Sequence, residues 1–239
     1  MTATANDLGS RREIFKQRRA IFEASVLDRA GHLSPSRLEA KRARIVDAAM
    51  HHFAEHGYHA ARIEDLAAQL GVAKGSIFQY FGSKGGLFLE AYKKAVRHFP
   101  TYLDSPSQVR SRGFFEILRY WLLRTERLVR EDWVPYRVSL LGNYGVDLSL
   151  KREINRFLQA EDPYGSTAYV RLGIARGEVR SDIDPALIVS ILDWTMERFQ
   201  DALLTEELDP GLFPHPADPE QNEARINQFL LVLRGAIGV

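Results

Sequence analysis

Apolar residues recur at helical spacing along almost the whole chain, and strict alternation of apolar and polar residues is rare. The pattern predicts an all-α protein punctuated by proline and glycine. Residues 11–28 interleave Ile14, Phe15, Ile21, Phe22 and Val26 with Arg and Lys and predict an amphipathic helix, set off by Gly31 and Pro35. Ser36 followed by Glu39 has the form of a capping box opening the next helix. Its buried stripe is Ile45, Ala48, Ala49 and Phe53, and Gly57 ends it. A short helix carrying Ile63, Leu66, Ala67 and Leu70 runs to Gly71, and a second spans Lys74 to Phe81. Ser83 then caps a fourth helix reaching about His98, before Pro100 and Pro106 break the chain.

Further along, Val109, Leu118, Trp121, Leu122 and Leu128 trace one long helix, and Trp133 to Tyr144 another. Leu150 to Leu158 begin a third, which Pro163 interrupts before it resumes toward Arg176 and stops at Gly177. Asp184 and Pro185 make an N-cap and first-turn pair for a helix from Ala186 to Leu204. Pro210 to Pro219 is a proline-rich loop, and Glu220 to Ile237 the last helix.

Composition narrows the class. A chain of 239 residues with 45% hydrophobic residues can build a sizeable core without covalent staples. The absence of cysteine excludes disulfides, thiolate metal sites and cysteine nucleophiles and agrees with a reducing compartment. Met1 to Ser10 lacks the apolar core of a signal peptide, and no stretch approaches the roughly 18 apolar residues of a membrane span, so a soluble cytoplasmic protein without a membrane partner is expected. Charge is divided unevenly: residues 1–98 hold 16 basic and 10 acidic side chains, a net +6, and the remainder 16 and 21, a net −5. The front of the chain suits a polyanion and the back does not.

In this front half, a helix followed by a short helix, a glycine turn and a second short helix has the layout of a helix-turn-helix, whose last helix enters the major groove. The residues make the pattern specific. Gly57-Tyr58, Ile63, Leu66-Ala67, Leu70-Gly71-Val72, Lys74-Gly75-Ser76-Ile77-Phe78-Gln79-Tyr80-Phe81 and Ser83-Lys84 resemble the DNA-binding domain of the TetR family nearly position for position. The resemblance covers roughly residues 38–98; beyond it only the helical layout and the run Arg176-Gly177-Glu178-Val179-Arg180 are similar. It implies a three-helix DNA-binding domain over 36–99 and a helical-bundle ligand-binding and dimerisation domain over 100–239; the basic residues 1–35 are an extension added to the usual family layout. It also implies that Lys74, Lys84 and Tyr80 meet phosphates, with Arg62 a further candidate, while Gly75, Ser76, Phe78 and Gln79 face base edges. Ile77 and Phe81 are read as core.

Two departures stand out. Ala61 and Ala73 occupy positions where a serine or threonine cap is common, a loss of about 1 kcal/mol each. Gly85-Gly86 replace helix formers at the head of the fourth helix, which suggests a loosened coupling there.

The back half shows no nucleophile and base at recognisable spacing, no glycine-rich phosphate loop and no HExxH motif, so neither an enzyme nor a cofactor is expected. His51, His52, His56 and His59 are read as surface histidines rather than metal ligands. Trp121, Arg124, Tyr136, Arg137, Leu140, Tyr144, Phe157 and Trp194 are the candidates to line an effector cavity, with Trp133, Asn143 and Phe199 nearby. The stripes Ile188, Ile191, Leu192 and Ile226, Phe229, Leu230, Leu233 on the last two helices correspond to a four-helix homodimer interface in the family. The expectation is a repressor that binds a pseudopalindromic double-stranded operator and is released by a small, largely apolar effector. The alternative is a DNA-binding activator or protein-controlled regulator without a small ligand.

Arg11, Arg12, Lys16, Arg18 and Arg19 suit either an arm on flanking phosphates or a solvated helix face. Deleting residues 1–30 separates these readings: lost phosphate contacts flatten the dependence of operator affinity on salt, and a solvated helix leaves it unchanged.

Overall fold

The computed structural model describes residues 35–99, 104–206, 208–213 and 218–239, and the regular elements among them are helices. The basic segment with Arg11, Arg12, Lys16, Arg18 and Arg19 lies outside the described residues. The chain falls into two compact units, Met1–Ile45 and Val46–Val239.

Helix α1, Pro35–Ala60, supplies the described part of the first unit and continues into the second. It starts before Ser36, which therefore stands in its first turn and not at the expected cap. Proline suits that turn because its missing N–H would have no helical partner there. Gly57, at φ 74°, kinks the helix where an end was expected. Helices α2, Ile63–Leu70, and α3, Lys74–Phe81, follow, joined by Gly71 in the left-handed conformation. Neither has a side-chain cap. The cap residue of α2 is Arg62, not Ala61, and Glu64 and Asp65 place negative charge in the first turn, where the helix dipole favours it. Helix α4, Lys84–His98, is capped as expected: the Gly86 N–H donates to Ser83 Oγ at 3.0 Å.

Gly86 has a steric reason to be glycine. A Cβ there would collide with the backbone carbonyl of Phe81, whereas one on Gly85 meets only ordinary contacts, the nearest being Tyr58 Oη at 3.6 Å. The two glycines are thus not equivalent loosening elements. Gly86 lets α4 turn tightly away from α3.

The expected single helix from Val109 to Leu128 is two, α5, Ser107–Arg110, and α6, Phe114–Glu131, separated at Gly113 (φ 109°). The Phe114 N–H, free of an intrahelical partner at the start of α6, donates to the Glu178 carboxylate. The run Arg176 to Arg180 is therefore structural: Glu178 secures α6, Val179 is buried, and the Arg180 N–H donates to the Ile237 carbonyl at 2.9 Å. Helices α7, Trp133–Tyr144, α8, Leu148–Glu161, and α9, Ser166–Ala175, follow, with the last two separated around Pro163. Helices α10, Pro185–Leu204, and α11, Pro219–Ile237, each begin at a proline behind a capping aspartate, Asp184 and Asp218.

The main core joins α6, α9, α10 and α11 through residues such as Phe114, Leu118, Tyr169, Leu192, Met196 and Ile226. This corrects the expected dimer stripes. Ile188, Leu192, Ile226, Leu230 and Leu233 are buried within their own chain, Ile191 is half-buried, and Phe229 stacks on Phe199 with ring centroids 4.0 Å apart. Leu187, Trp194, Leu231 and Val232 are the large apolar residues left exposed on these helices.

A second close approach ties α4 to α7. The ring of the fully buried Tyr92 occupies the space that a Cβ on Gly142 would need. Phe157 on α8 packs edge-on to Tyr92, and Arg97 pairs with Glu161 at 2.7 Å, so α4 is held by α7 and α8 together. Gly142→Ala is expected to destabilise the chain by about 1–3 kcal/mol through overpacking. Gly85→Ala should be neutral or stabilising by up to about 1 kcal/mol. Urea denaturation of both variants checks the contrast.

Candidate nucleic-acid interface and cavity

On α3, Ile77 and Phe81 are buried, which leaves Gly75 and Gln79 exposed and Ser76, Phe78 and Tyr80 half-buried. The helical repeat thus separates a core face from a face available to a ligand. At its head, Lys74 Nζ lies 2.5 Å from Glu64 Oε1 and 5.4 Å from the Phe78 ring centroid. The adjacent ammonium holds the Glu64 carboxyl below its usual range. Lys84 donates to the His59 carbonyl at 2.9 Å and sits 5.1 Å from the Tyr58 ring centroid, and partial burial lowers its pKa. Arg62 is exposed, and its carbonyl lies 3.1 Å from His52 Nε2.

His52 is buried, contrary to its expected surface position. Burial first, then neighbouring His56, lower its pKa, so the neutral ring serves as a tie between α1 and the start of α2. Among the described residues no cluster of His, Cys, Asp or Glu can hold a metal ion.

A cavity of about 100 Å³, room for several water molecules, opens among α6, α7, α10 and the end of α4. Of the residues expected to line it, Trp121 and Tyr136 do, as does Asn143. Arg124 is exposed and donates to Tyr120 Oη at 2.9 Å. Leu140 is buried beside the cavity with Phe99 and Val129, and Arg137 is half-buried away from its walls. Tyr144 is half-exposed, with the Arg198 guanidinium 5.5 Å from its ring centroid. Phe157 belongs to the α4–α8 contact, and Trp194 is 65% exposed.

Sequence reading missed the acidic wall. Asp193, Glu197 and Asp201 line the cavity from α10, and Asp162 lines it from the turn after α8. The signal was present: three carboxylates spaced four apart on a helix whose buried residues include Ile188, Leu192 and Met196. Ser166 Oγ donates to Asp193 at 2.7 Å, Asn143 Nδ2 to Glu197 at 2.5 Å and Tyr136 Oη to Asp201 at 2.9 Å. Burial pushes the carboxyl pKa values of Asp193 and Asp201 up to about 6 and also raises that of Glu197. Lys151, half-buried, bonds to the Gly142 carbonyl at 3.3 Å; burial lowers its pKa, and the charges of Glu197 and Asp201 oppose that shift.

Two short helices set at a glycine turn, joined through α4 to a helical body with its own cavity, have the layout of a helix-turn-helix protein. Residues 45–91 match the family described as "Bacterial regulatory proteins, tetR family". The HTH-type transcriptional repressor AcnR of Corynebacterium glutamicum is 25% identical over 173 residues, covering 72% of this chain and 86% of the relative. The fatty acid metabolism regulator protein of Bacillus subtilis is 25% identical over 164 residues, covering 66% and 80%. The crystal structure of FadR from B. subtilis in complex with stearoyl-CoA has the same fold, with TM-score 0.59, 23% identity and coverage of 80% of this chain and 96% of that one. Residues 45–91 thus carry the DNA-binding domain of the TetR family, and the chain as a whole is similar to transcriptional regulators of that family. None of its described helices is long and apolar enough to cross a membrane.

The raised carboxyls set a pH dependence. Asp193 and Asp201 hold protons up to about pH 6 in the folded chain, against an ordinary value of 3.8. Between those values the folded chain carries the extra protons, so their contribution is present at low pH and is lost as pH rises through about 6. Asp201→Asn keeps an acceptor for Tyr136 and removes the buried charge. It is expected to stabilise the chain on the order of 2 kcal/mol at pH 7.5 and to have little effect at pH 4. Denaturant titrations at the two pH values test the sign.

Proposed function

We propose that this regulator is a cytoplasmic repressor that binds a pseudopalindromic operator as a homodimer and releases it when a small molecule occupies the cavity. The observation that carries the reading is the course of α4. It leaves the recognition helix at Ser83, is clasped by α7 at Tyr92 and Gly142, and ends at Phe99, which lines the cavity. A shift at one end of this helix is transmitted to the other. The repressor name of AcnR and the stearoyl-CoA bound in the FadR structure support a repressor with a small-molecule effector.

In this reading residues 36–99 form the DNA-binding domain and 100–239 the sensing and dimerisation domain. Lys74, Lys84 and Tyr80 engage phosphates with Arg62, and the exposed part of α3, Gly75, Ser76, Phe78 and Gln79, reads bases. Lys74 exchanges Glu64 for a phosphate on binding. Two copies associate through the exposed Leu187, Trp194, Leu231 and Val232, which sets the recognition helices at the roughly 34–36 Å separation of successive half-sites. The effector acts through its higher affinity for the conformation with the wrong separation.

Lys74→Ala is expected to weaken operator and unrelated DNA alike and to reduce the salt slope by about 1, whereas Gln79→Ala costs about 1–3 kcal/mol of preference at one base pair. Fluorescence anisotropy over a salt series tests both, and an unaltered slope for Lys74→Ala counts against the phosphate role. Trp194→Glu should shift the sedimenting species from dimer toward monomer; a dimer of undiminished stability places the interface elsewhere.

A further inference from the structure

We propose that the cavity binds an organic cation, an amine or quaternary ammonium on a small apolar body. This rests on the reading of the cavity as the effector site and names the ligand class that its walls select.

Four carboxylates, Asp162, Asp193, Glu197 and Asp201, line the space, and no lysine, arginine or histidine does. Each of the three on α10 receives a hydrogen bond from a neutral donor, Ser166, Asn143 or Tyr136, which orients the carboxylate without neutralising it. Among the described residues none of these three forms an ion pair; of the two cations whose charge reaches them, Lys151 spends its ammonium on the Gly142 and Asn143 oxygens and Arg198 donates to the Leu208 carbonyl at 3.0 Å beside the Tyr144 ring.

The second observation concerns Asp201 itself. It is only 3% exposed, lines the cavity, and its Oδ2 has no hydrogen-bond partner; the Tyr144 hydroxyl favours the charged form of this carboxylate but does not satisfy that oxygen. A buried carboxylate oxygen without a donor is costly, and a cation brought into the adjoining space would offset that cost. Gln200 adds a second unpaired buried acceptor on the same wall.

The remaining walls fit the same ligand. Phe99, Trp121, Tyr136 and Tyr164 surround the space with aromatic rings, whose faces attract an ammonium while accommodating its alkyl groups. A metal ion is disfavoured because the acids do not converge as a coordination set. An anionic head group would meet carboxylates on α10 with no cation lining the cavity to receive it.

The test uses the full-length protein at pH 7.5, isothermal titration calorimetry and three cations, tetramethylammonium, benzyltrimethylammonium and phenethylamine, with neutral benzyl alcohol and stearoyl-CoA for comparison. At least one cation should bind saturably and at least tenfold more tightly than benzyl alcohol. The double substitution Glu197→Gln, Asp201→Asn keeps both acceptors and should weaken that cation at least tenfold; a melting temperature no lower than the parent's shows that the loss is not unfolding. Absence of binding by all three cations overturns the proposal, as does binding insensitive to the double substitution, or stearoyl-CoA binding that excludes the cation more tightly than the cation binds. Gel retardation with an operator fragment separates the two levels. A cation that binds as described but leaves the operator complex intact supports the cation site and refutes the effector role of the cavity. Operator release by stearoyl-CoA alone preserves small-molecule sensing and refutes the cationic class.

Discussion

Helix α4 can be both the last element of the helix-turn-helix unit and a helix packed into the body beside the cavity because α7 carries no side chain at position 142. The Tyr92 ring takes that space, and the two helices approach at a distance that any other residue would forbid. At its other end α4 begins at a serine cap and at Gly86, whose missing Cβ clears the carbonyl of Phe81. The helix that links the two activities is therefore fastened by close packing at two points. Close-packed contacts of this kind transmit small displacements because they cannot deform continuously.

Charge is organised on the same plan. The cations at the heads of α3 and α4 are held loosely, the exposed Lys74 by a solvent-exposed carboxylate and the half-buried Lys84 by a backbone carbonyl, which are partners that a phosphate can replace. The acids of α10 are held tightly instead, oriented by neutral hydroxyl and amide donors along the wall of the cavity. Burial raises their pKa values. A basic front half and an acidic cavity wall thus coexist in a chain whose formal net charge is +1.

The helix-turn-helix was legible in the sequence because its signals are local. Gly71 needs a left-handed turn, Ser83 caps its own helix, and Ile77 and Phe81 fall on one side of a two-turn helix whatever lies beyond it. The cavity was less legible because aromatic residues mark core and pocket alike. Trp121 and Tyr136 reach it, Phe157 instead packs across two helices, and Trp194 turns outward. The buried stripes of the last two helices were legible as apolar, but whether they faced their own core or a second copy depended on the position of α6.

The sequence by itself determined the all-helical class, the DNA-reading motif, the caps at Ser83 and Asp184 and the partition of charge, since each rests on residues within a few positions of one another. Only the tertiary structure decided that Gly86 and Gly142 serve close packing, that Glu178 secures the start of a helix 64 positions earlier in the chain, and that Asp193, Glu197 and Asp201 line one cavity, with one oxygen of Asp201 left unpaired. These features depend on which helices become neighbours, and burial, which gives the acids their character, is a property of that packing and not of the local sequence.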